Sequence, residues 1–569
     1  MLLLFTKTII MASKTYFLTF SNSSLWLDSA TNLATIDRYT SHLLSILAPI
    51  GLFVLIQFGV TSIRKQPSLS ASFPLPPGPS PWPILGSIPD LLRNKPGYKW
   101  ILGLMEEMNT EIACIHLGNV HVIPVTSPEL AREFLNKQDA VFASRPRTMA
   151  TEYLSRGFLT AVVTPWGNQW KKMRRVVTSE MVSRERLKWL LEKRNEEADN
   201  LVFYLYNQCN KKSLSGGEVF NVRLLTRQFS GNVIRKMIFN KRYFGKGRKD
   251  GGPGIEEIEH VDSAFEVLYY VYAFGIQDYL PYLRWLDLDG HEKIVKRAMG
   301  VLDKYHDPII EERIPQWRSG TMENKVPEDL LDVLISLKDE HGKPLLSTEE
   351  IKAQVGEIIM ATVDNPANTV EWAMAEMINQ PDILIKATDE IDTIVGKGRW
   401  VQEFDIPKLI YVKACAREAL RLHPLAPFNV PHVSISDTVV AGYFIPKGSH
   451  VLLSRTGLGR NHRIWYEPLK FNPERHLISK DGGIADVDLT EKELRFISFS
   501  TGRRGCVGGP LGTAITIMLL SRLIQGFHWS APPGESMIDL SEAANDLLLA
   551  KPLFAHATPR LPLHVYPAE

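Results

Sequence analysis

The chain has 569 residues, longer than an ordinary single domain, and with 44% apolar and 22% charged residues it has material for a large buried core. Its formal net charge of only +2 argues against a nucleic-acid binder, whose basic footprint shows in the total or in a concentrated block. The four cysteines, Cys114, Cys209, Cys415 and Cys506, are spaced too widely for a CxxC-type metal site or a disulfide framework and fit a reducing compartment.

Residues 43–60, LLSILAPIGLFVLIQFGV, are an 18-residue run without charge, near the lower limit of a bilayer-spanning helix. Arg64 and Lys65 follow the run and only Arg38 closely precedes it, which puts the following chain on the cytosolic side. A cleaved signal peptide fits less well, because the run is too long, too far from the start and not followed by a small-residue cleavage site. The expected layout is an amino-terminal lumenal segment over residues 1–42, a membrane anchor helix over 43–63, a basic and proline-rich hinge over 64–90, and the main domain over 91–569. Dense proline between residues 74 and 83 favours an extended, semi-rigid spacer.

From about residue 95 the pattern is mostly helical, with strand signals in two clusters. Residues 112–125 predict a hairpin turning at Gly118-Asn119, and residues 438–454 predict two strands around Pro446-Lys447-Gly448. Helical patterns cover residues 184–209 and 330–337. The longest begins at the capping box Ser347-Thr348-Glu349-Glu350, stops before Pro381, and is apolar on most sides, as for a helix through a core. No internal repeat is present, so the predicted fold class is mainly α with a minor β-sheet region. Inside the long helix stands Asp364-Asn365-Pro366; the proline removes one N–H and crowds the Thr362 carbonyl, so the helix is expected to open there.

Residues 499–508, FSTGRRGCVG, surround one cysteine with three glycines, so the backbone there can approach a flat cofactor. The segment after Pro510 reads as helix, which puts Cys506 before a helix N-terminus and near arginines, where a thiolate is favoured. The segment resembles the heme-binding loop of the cytochrome P-450 monooxygenases at every fixed position of FxxGxRxCxG. Further likenesses are Trp170 and Arg174 as WxxxR, Glu418 and Arg421 as ExxR followed by Leu422-His423-Pro424, and FNPERH at residues 471–476. ExxR alone is common as a surface pair, and its weight here comes from position. His476 stands where the family has phenylalanine.

The resemblance implies the cytochrome P-450 fold, with heme b between the central long helix and the Cys-loop helix. It implies Cys506 as the axial ligand of the heme iron, with Trp170, Arg174, Phe499 and Arg504 holding the cofactor. His432 occupies a place where the family uses Arg or His for a propionate, and an ordinary loop histidine is an equal reading. NADPH would supply electrons through a separate flavoprotein reductase, since no Rossmann or flavodoxin-like segment occurs in the chain. Lys171, Lys172 and Arg175 would form either a docking face for that reductase or a solvated helix face. Membrane lipid and O2 complete the implied partners, and the endoplasmic reticulum membrane is the implied location, with the catalytic domain facing the cytosol.

VDNPANTVEWAMAEM at residues 363–377, together with PERH, FNVPHVS and SFSTGRRGC, resembles the plant amino-acid N-monooxygenases. These convert an amino acid by two N-hydroxylations, dehydration and decarboxylation to an aldoxime. TMATEY at residues 148–153 and AKPL at 550–553 are nearest the subgroup acting on phenylalanine or tyrosine. The implied catalytic set is Asp364, Asn365 and Pro366, with Asn365 in the place of a threonine that helps deliver protons during oxygen activation. The amino-acid carboxylate in an apolar pocket demands a donor or a cation, for which Arg156 and Asn429 are the candidates. Phenylalanine to phenylacetaldoxime is the expected reaction, with tyrosine as the nearest alternative. A heme-thiolate lyase or isomerase needing no reductase would also account for the lost threonine, and a non-catalytic heme protein would need a second strong axial ligand.

Overall fold

The computed structural model describes residues 72–212, 217–242, 252–319, 326–477, 486–544 and 546–566. The expected lumenal segment and membrane anchor lie outside them. Among the described residues no helix is long and apolar enough to cross a membrane.

Seven helices frame the site: α1 (Asn168–Val176), α2 (Val222–Phe239), α3 (Ile255–Val271), α4 (His291–Arg318), α5 (Thr348–Asn379), α6 (Ile410–Leu422) and α7 (Gly509–Gly526). The capping box starts α5 as the sequence predicts: Ser347 Oγ accepts from the Glu350 N–H at 3.2 Å, and Glu350 Oε2 accepts from the Ser347 N–H at 2.9 Å. Pro381 opens the next helix, so α5 ends two residues before it. Flanked by α2 and α7, α5 is buried along most of its length, and Trp372, 1% exposed, donates its indole N–H to the Leu547 carbonyl at 3.0 Å. The pattern read as one helix over residues 184–209 is two, Arg184–Trp189 and Leu191–Lys212.

The strands are β1 (Ile115–Leu117), β2 (Val120–Val125), β3 (Glu218–Asn221), β4 (His432–Val433), β5 (Thr438–Val440), β6 (Tyr443–Ile445), β7 (His450–Leu453), β8 (Phe527–Ser530) and β9 (Phe554–Pro559). The predicted β1–β2 hairpin is present, with Leu117 opposite Val120. Residues 438–454 hold three strands rather than two: β5 and β6 pair across Ala441-Gly442, while β7 joins β2 in parallel, Val122 beside His450. Both turn residues there have positive φ, Ala441 at 50° and Gly442 at 80°, which an alanine rarely signals in sequence. In the sheet order β1–β2–β7–β4, the strand that carries His432 pairs with β7, which separates it from the amino-terminal hairpin.

The residues from Ser72 onward form one compact unit. The proline-rich segment read as a spacer is, in its described part, laid along the sheet: Pro77 accepts from the Cys114 N–H at 2.8 Å, and Pro74 from the Phe444 N–H at 2.8 Å. Proline lacks a donor but keeps its carbonyl, so it can bind a neighbouring backbone from one side. A Cβ on Gly78 would lie 1.8 Å from the Cys114 carbonyl oxygen, so only glycine fits this approach.

Candidate heme-thiolate active site

The loop before α7 is built around Cys506. Its N–H donates to the Phe499 carbonyl at 2.8 Å, and the Phe499 ring lies against α7 where a Cβ on Gly512 would come within 3.2 Å. Gly502 has φ +72°, and a Cβ there would stand 2.2 Å from the Leu135 carbonyl oxygen. Cys506 has exposed surface although much of the protein packs around it, whereas Cys114, Cys209 and Cys415 are buried. Burial raises the thiol of Cys506, and the Gly508 N–H, Arg174 and Arg455 pull it back in part. The thiolate expected from the helix end is therefore not favoured by the protein alone; coordination to a metal ion deprotonates such a thiol.

The other predicted cofactor residues converge on the same space. On α1, Trp170 is buried with its indole N–H unpartnered, and the Arg504 guanidinium lies 4.4 Å over its ring. Arg504 donates through Nε to the Ala143 carbonyl and through Nη2 to the Thr164 carbonyl at 2.8 Å, leaving Nη1 buried and unpartnered. Burial beside Arg145 and Arg174 pushes its pKa down to about 8, the mark of a cation short of an anion. His432 on β4 bonds through Nδ1 to the Phe142 carbonyl at 2.8 Å, and its Nε2 is buried without a partner. Three polar atoms left over in one place, with Arg174 facing Cys506, fit the two propionates of a heme. Arg145, missed in the sequence, braces them by donating to Val430 at 2.7 Å and Pro431 at 2.9 Å. A fully buried arginine carries no signal in composition or spacing.

Opposite, α5 turns Ala361, Thr362 and Asn365 toward open space while their neighbours are buried. The helix is not broken at Pro366, as the sequence led one to expect; it runs from Thr348 to Asn379. Side chains bond to the backbone on both sides: Thr369 Oγ1 donates to the Asn365 carbonyl at 2.7 Å, and Thr362 Oγ1 to the Ile358 carbonyl at 2.8 Å. Asn365 Nδ2 makes a long 3.4 Å contact to the Ala361 carbonyl. Asp364 is 5% exposed, accepts from Asn368, and burial pushes its pKa up to about 7, against the pull of Arg227. Glu357, two turns before Asp364, is buried and accepts the N–H groups of Ala161 and Val162 at 3.0 Å, which ties the loop before α1 to α5.

A cavity of about 400 Å3 ends at Asp364 and Arg227 and is walled by Phe265, Tyr272, Phe274 and Phe428 among others. Of the two candidates for the carboxylate, Arg156 does not reach it. Its guanidinium is taken up by Asp303 at 2.7 Å, Asp307 at 2.8 Å and Glu349 at 3.1 Å, which fix the loop before α1 to α4 and α5. Asn429 follows Phe428 of the cavity wall but is not itself part of the lining, and its Nδ2 is committed to Ser500 Oγ at 3.3 Å. Lys172 is likewise engaged, with Glu350 at 2.6 Å, while Lys171 and Arg175 are exposed.

Behind the site, Glu418 on α6 holds Arg421 through two bonds of 2.7 and 2.8 Å, Arg475 at 2.9 Å and His476 at 2.8 Å. The residue that departs from the sequence pattern thus joins the cluster.

An exposed cysteine in a glycine loop, with unpartnered buried donors in the same region and the long helix α5 packed on the helix that follows the loop, defines the class of a heme-thiolate protein. The family model for Cytochrome P450 matches residues 76–557, and the chain belongs to that family. The family is one of heme-thiolate monooxygenases, and the similar relatives bear monooxygenase names, so the chain is an enzyme of that kind rather than a non-catalytic heme protein. The chain is similar to the tryptophan N-monooxygenase of Prunus mume, 59% identical over 90% of this chain and 96% of that protein. It is 58% identical to the phenylalanine N-monooxygenase of Arabidopsis thaliana over 91% of this chain and 98% of that one. With the tyrosine N-monooxygenase of Sorghum bicolor the identity is 56% over 89% and 90%.

Proposed function

We propose that the chain is an amino-acid N-monooxygenase acting on L-phenylalanine, which it converts by two N-hydroxylations, dehydration and decarboxylation to phenylacetaldoxime. The observation that carries this reading is the aromatic-walled cavity of about 400 Å3 that ends at Asp364. Relatives similar to this chain bear the names of tryptophan, phenylalanine, tyrosine and isoleucine N-monooxygenases, which supports an amino acid as substrate, and the aromatic side chains of the cavity support an aromatic one.

Cys506, Trp170, Arg174, His432 and Arg504 would hold a heme, which would supply the oxygen activation. The residues of the chain do the rest. Phe265 and Phe428 exclude water from the aromatic side chain. Asp364, titrating near neutrality, holds and releases a proton at its carboxyl beside Asn368. Asn365 and Thr362 face the open side of α5 and can hold water. Electrons come from NADPH through a separate reductase, with exposed Lys171 and Arg175 on α1 as part of its docking face. In this reading residues 43–63 anchor the chain in the endoplasmic reticulum membrane, with the catalytic domain in the cytosol.

The test is a substrate-binding difference spectrum of the heme-loaded protein against the twenty amino acids, followed by product analysis with reductase, NADPH and O2. The largest shift is expected with phenylalanine, and phenylacetaldoxime is expected only in the complete mixture. A larger shift with tyrosine or tryptophan moves the substrate. Product at the same rate in anaerobic, reductase-free samples overturns the reaction.

A further inference from the structure

We propose that Arg455 receives the carboxylate of the amino-acid substrate and thereby sets its nitrogen at the reaction centre. The inference rests on the amino-acid reading above and names a residue that the sequence did not single out.

Arg455 starts the short helix Arg455–Gly459 directly after β7. Its backbone N–H donates to the Pro427 carbonyl at 2.8 Å, which pins it beside the segment 425–428 that lines the cavity. The residue is only 9% exposed, and among the described residues no carboxylate lies within ion-pair distance of it. Its Nε is buried without a partner, and its Nη2 makes one contact at 3.5 Å, the outer limit of a hydrogen bond, to Asn429 Oδ1. A guanidinium carries five N–H donors in a rigid fork, and a buried one left this idle is costly unless an anion meets it.

The neighbouring arginines are accounted for otherwise. Arg145 spends its donors on three carbonyls, those of Val162, Val430 and Pro431. Arg504 sits with Trp170 and His432 in the cluster that fits the propionates. Arg227 also lines the cavity and keeps its Nε buried and unpartnered, but it covers the face of Phe265 at 3.6 Å, has Asp262 at 3.7 Å and shares the charges of Asp364 and Glu371. Arg455 belongs to none of these groups. Its charge bears on Cys506, on Asp364 and on Tyr272, the last two of which line the cavity.

Chemistry requires a cation in that place. One carbon separates the amino nitrogen of an amino acid from its carboxylate, so a nitrogen oxidised next to the ligand of Cys506 holds its carboxylate in the same small space. A bidentate guanidinium fixes the orientation of a planar carboxylate as well as its position. Asn429, anchored to Ser500 at 3.3 Å, leaves its Oδ1 to steady the fork.

The test uses the full-length, heme-loaded protein, with loading counted by the carbon monoxide difference spectrum. The parent, Arg455→Met and Arg455→Lys are titrated with the amino acid that gives the parent its largest spectral shift, and with the matching amino alcohol, which lacks the carboxylate. Arg455→Met is expected to weaken the amino acid about 10- to 100-fold, the loss of a charge-assisted pair, and to change the amino alcohol little. Arg455→Lys, a point charge without the fork, should fall between. Equal weakening of acid and alcohol, unchanged affinity for the acid, or loss of heme in both variants overturns the assignment. A parent that shifts with no amino acid overturns the functional reading itself, and the assignment with it.

Discussion

His476 Nε2 lies 2.8 Å from Glu418 Oε2, completing a shell of donors around a carboxylate with no exposed surface. Burial by itself would raise the pKa of Glu418, but the bonds from Arg421 and His476 hold it at about 2. Replacing His476 by Phe leaves Arg421 and Arg475 in place, and the new ring would sit near Trp465 and Phe496. The expected cost is about 1–2 kcal/mol. Glu418→Gln strips the arginines of their counter-charge and should cost about 3–5 kcal/mol. Denaturant unfolding of the heme-loaded proteins at pH 7 checks the order. The wild-type contribution is full above pH 4.5 and fades as pH falls toward about 2, a slope that Glu418→Gln should lack.

Asp364 carries the opposite sign. Its carboxyl keeps its proton to about pH 7 in the folded chain but loses it near 3.8 when unfolded, because burial disfavours the charge. The folded state therefore holds the extra proton between those values, and stability falls as pH rises from 3.8 to about 7. Asp364→Asn should remove that decline, gaining on the order of a few kcal/mol over the parent at pH 8 and little near pH 3. Its turnover should drop roughly 100-fold or more, the usual share of a positioned proton donor. Unfolding curves and rates at the same pH values decide both.

Most of the site's frame could be read in the chain before any fold was known. Cys506, Trp170 and Glu418 sit in local patterns whose spacing reflects one loop or one helical turn. What stayed hidden is set by contacts between distant segments. Arg156 looked free because Asp303, Asp307 and Glu349 lie far along the chain, and Arg455 looked ordinary because only the fold buries it. Pro366 suggested a break because local rules count one missing N–H, whereas packing on α2 and α7 carries the helix through. The hairpin at Ala441-Gly442 was lost for a similar reason, since positive φ at an alanine is imposed by the sheet.

Cys506→Ser should leave the fold intact and abolish the thiolate-type carbon monoxide absorption, since a serine hydroxyl does not replace the sulfur ligand. Survival of that band would refute the ligand. Far-ultraviolet circular dichroism of the same sample confirms that helices remain.

Gly502→Ala is a test of the loop rather than of the ligand. With φ +72° and a Cβ 2.2 Å from the Leu135 carbonyl, the loop must move. The expected result is roughly 1–3 kcal/mol of destabilisation and weaker heme retention, with Cys506 still present. Heme loss on gel filtration against the parent gives the measure.

Asn365→Thr with Pro366→Ser restores a backbone N–H to α5. Stability should rise by up to about 3 kcal/mol, the cost of an internal proline. The fraction of NADPH consumption that ends in aldoxime should fall. Unchanged coupling would make the Asn-Pro pair a mark of descent without mechanistic weight.

The parallel pairing of β2 with β7 carries a consequence for biosynthesis. Residues 122–125 find their partners at residues 450–453, and the cysteine loop follows only after those. A ribosome must therefore release most of the polypeptide before the first sheet can close, and the hairpin waits with one edge unpaired. A cofactor can be captured at Cys506 only after residues 450–453 have emerged, so cells starved of heme should accumulate a species with its early strands still accessible to chaperones and proteases.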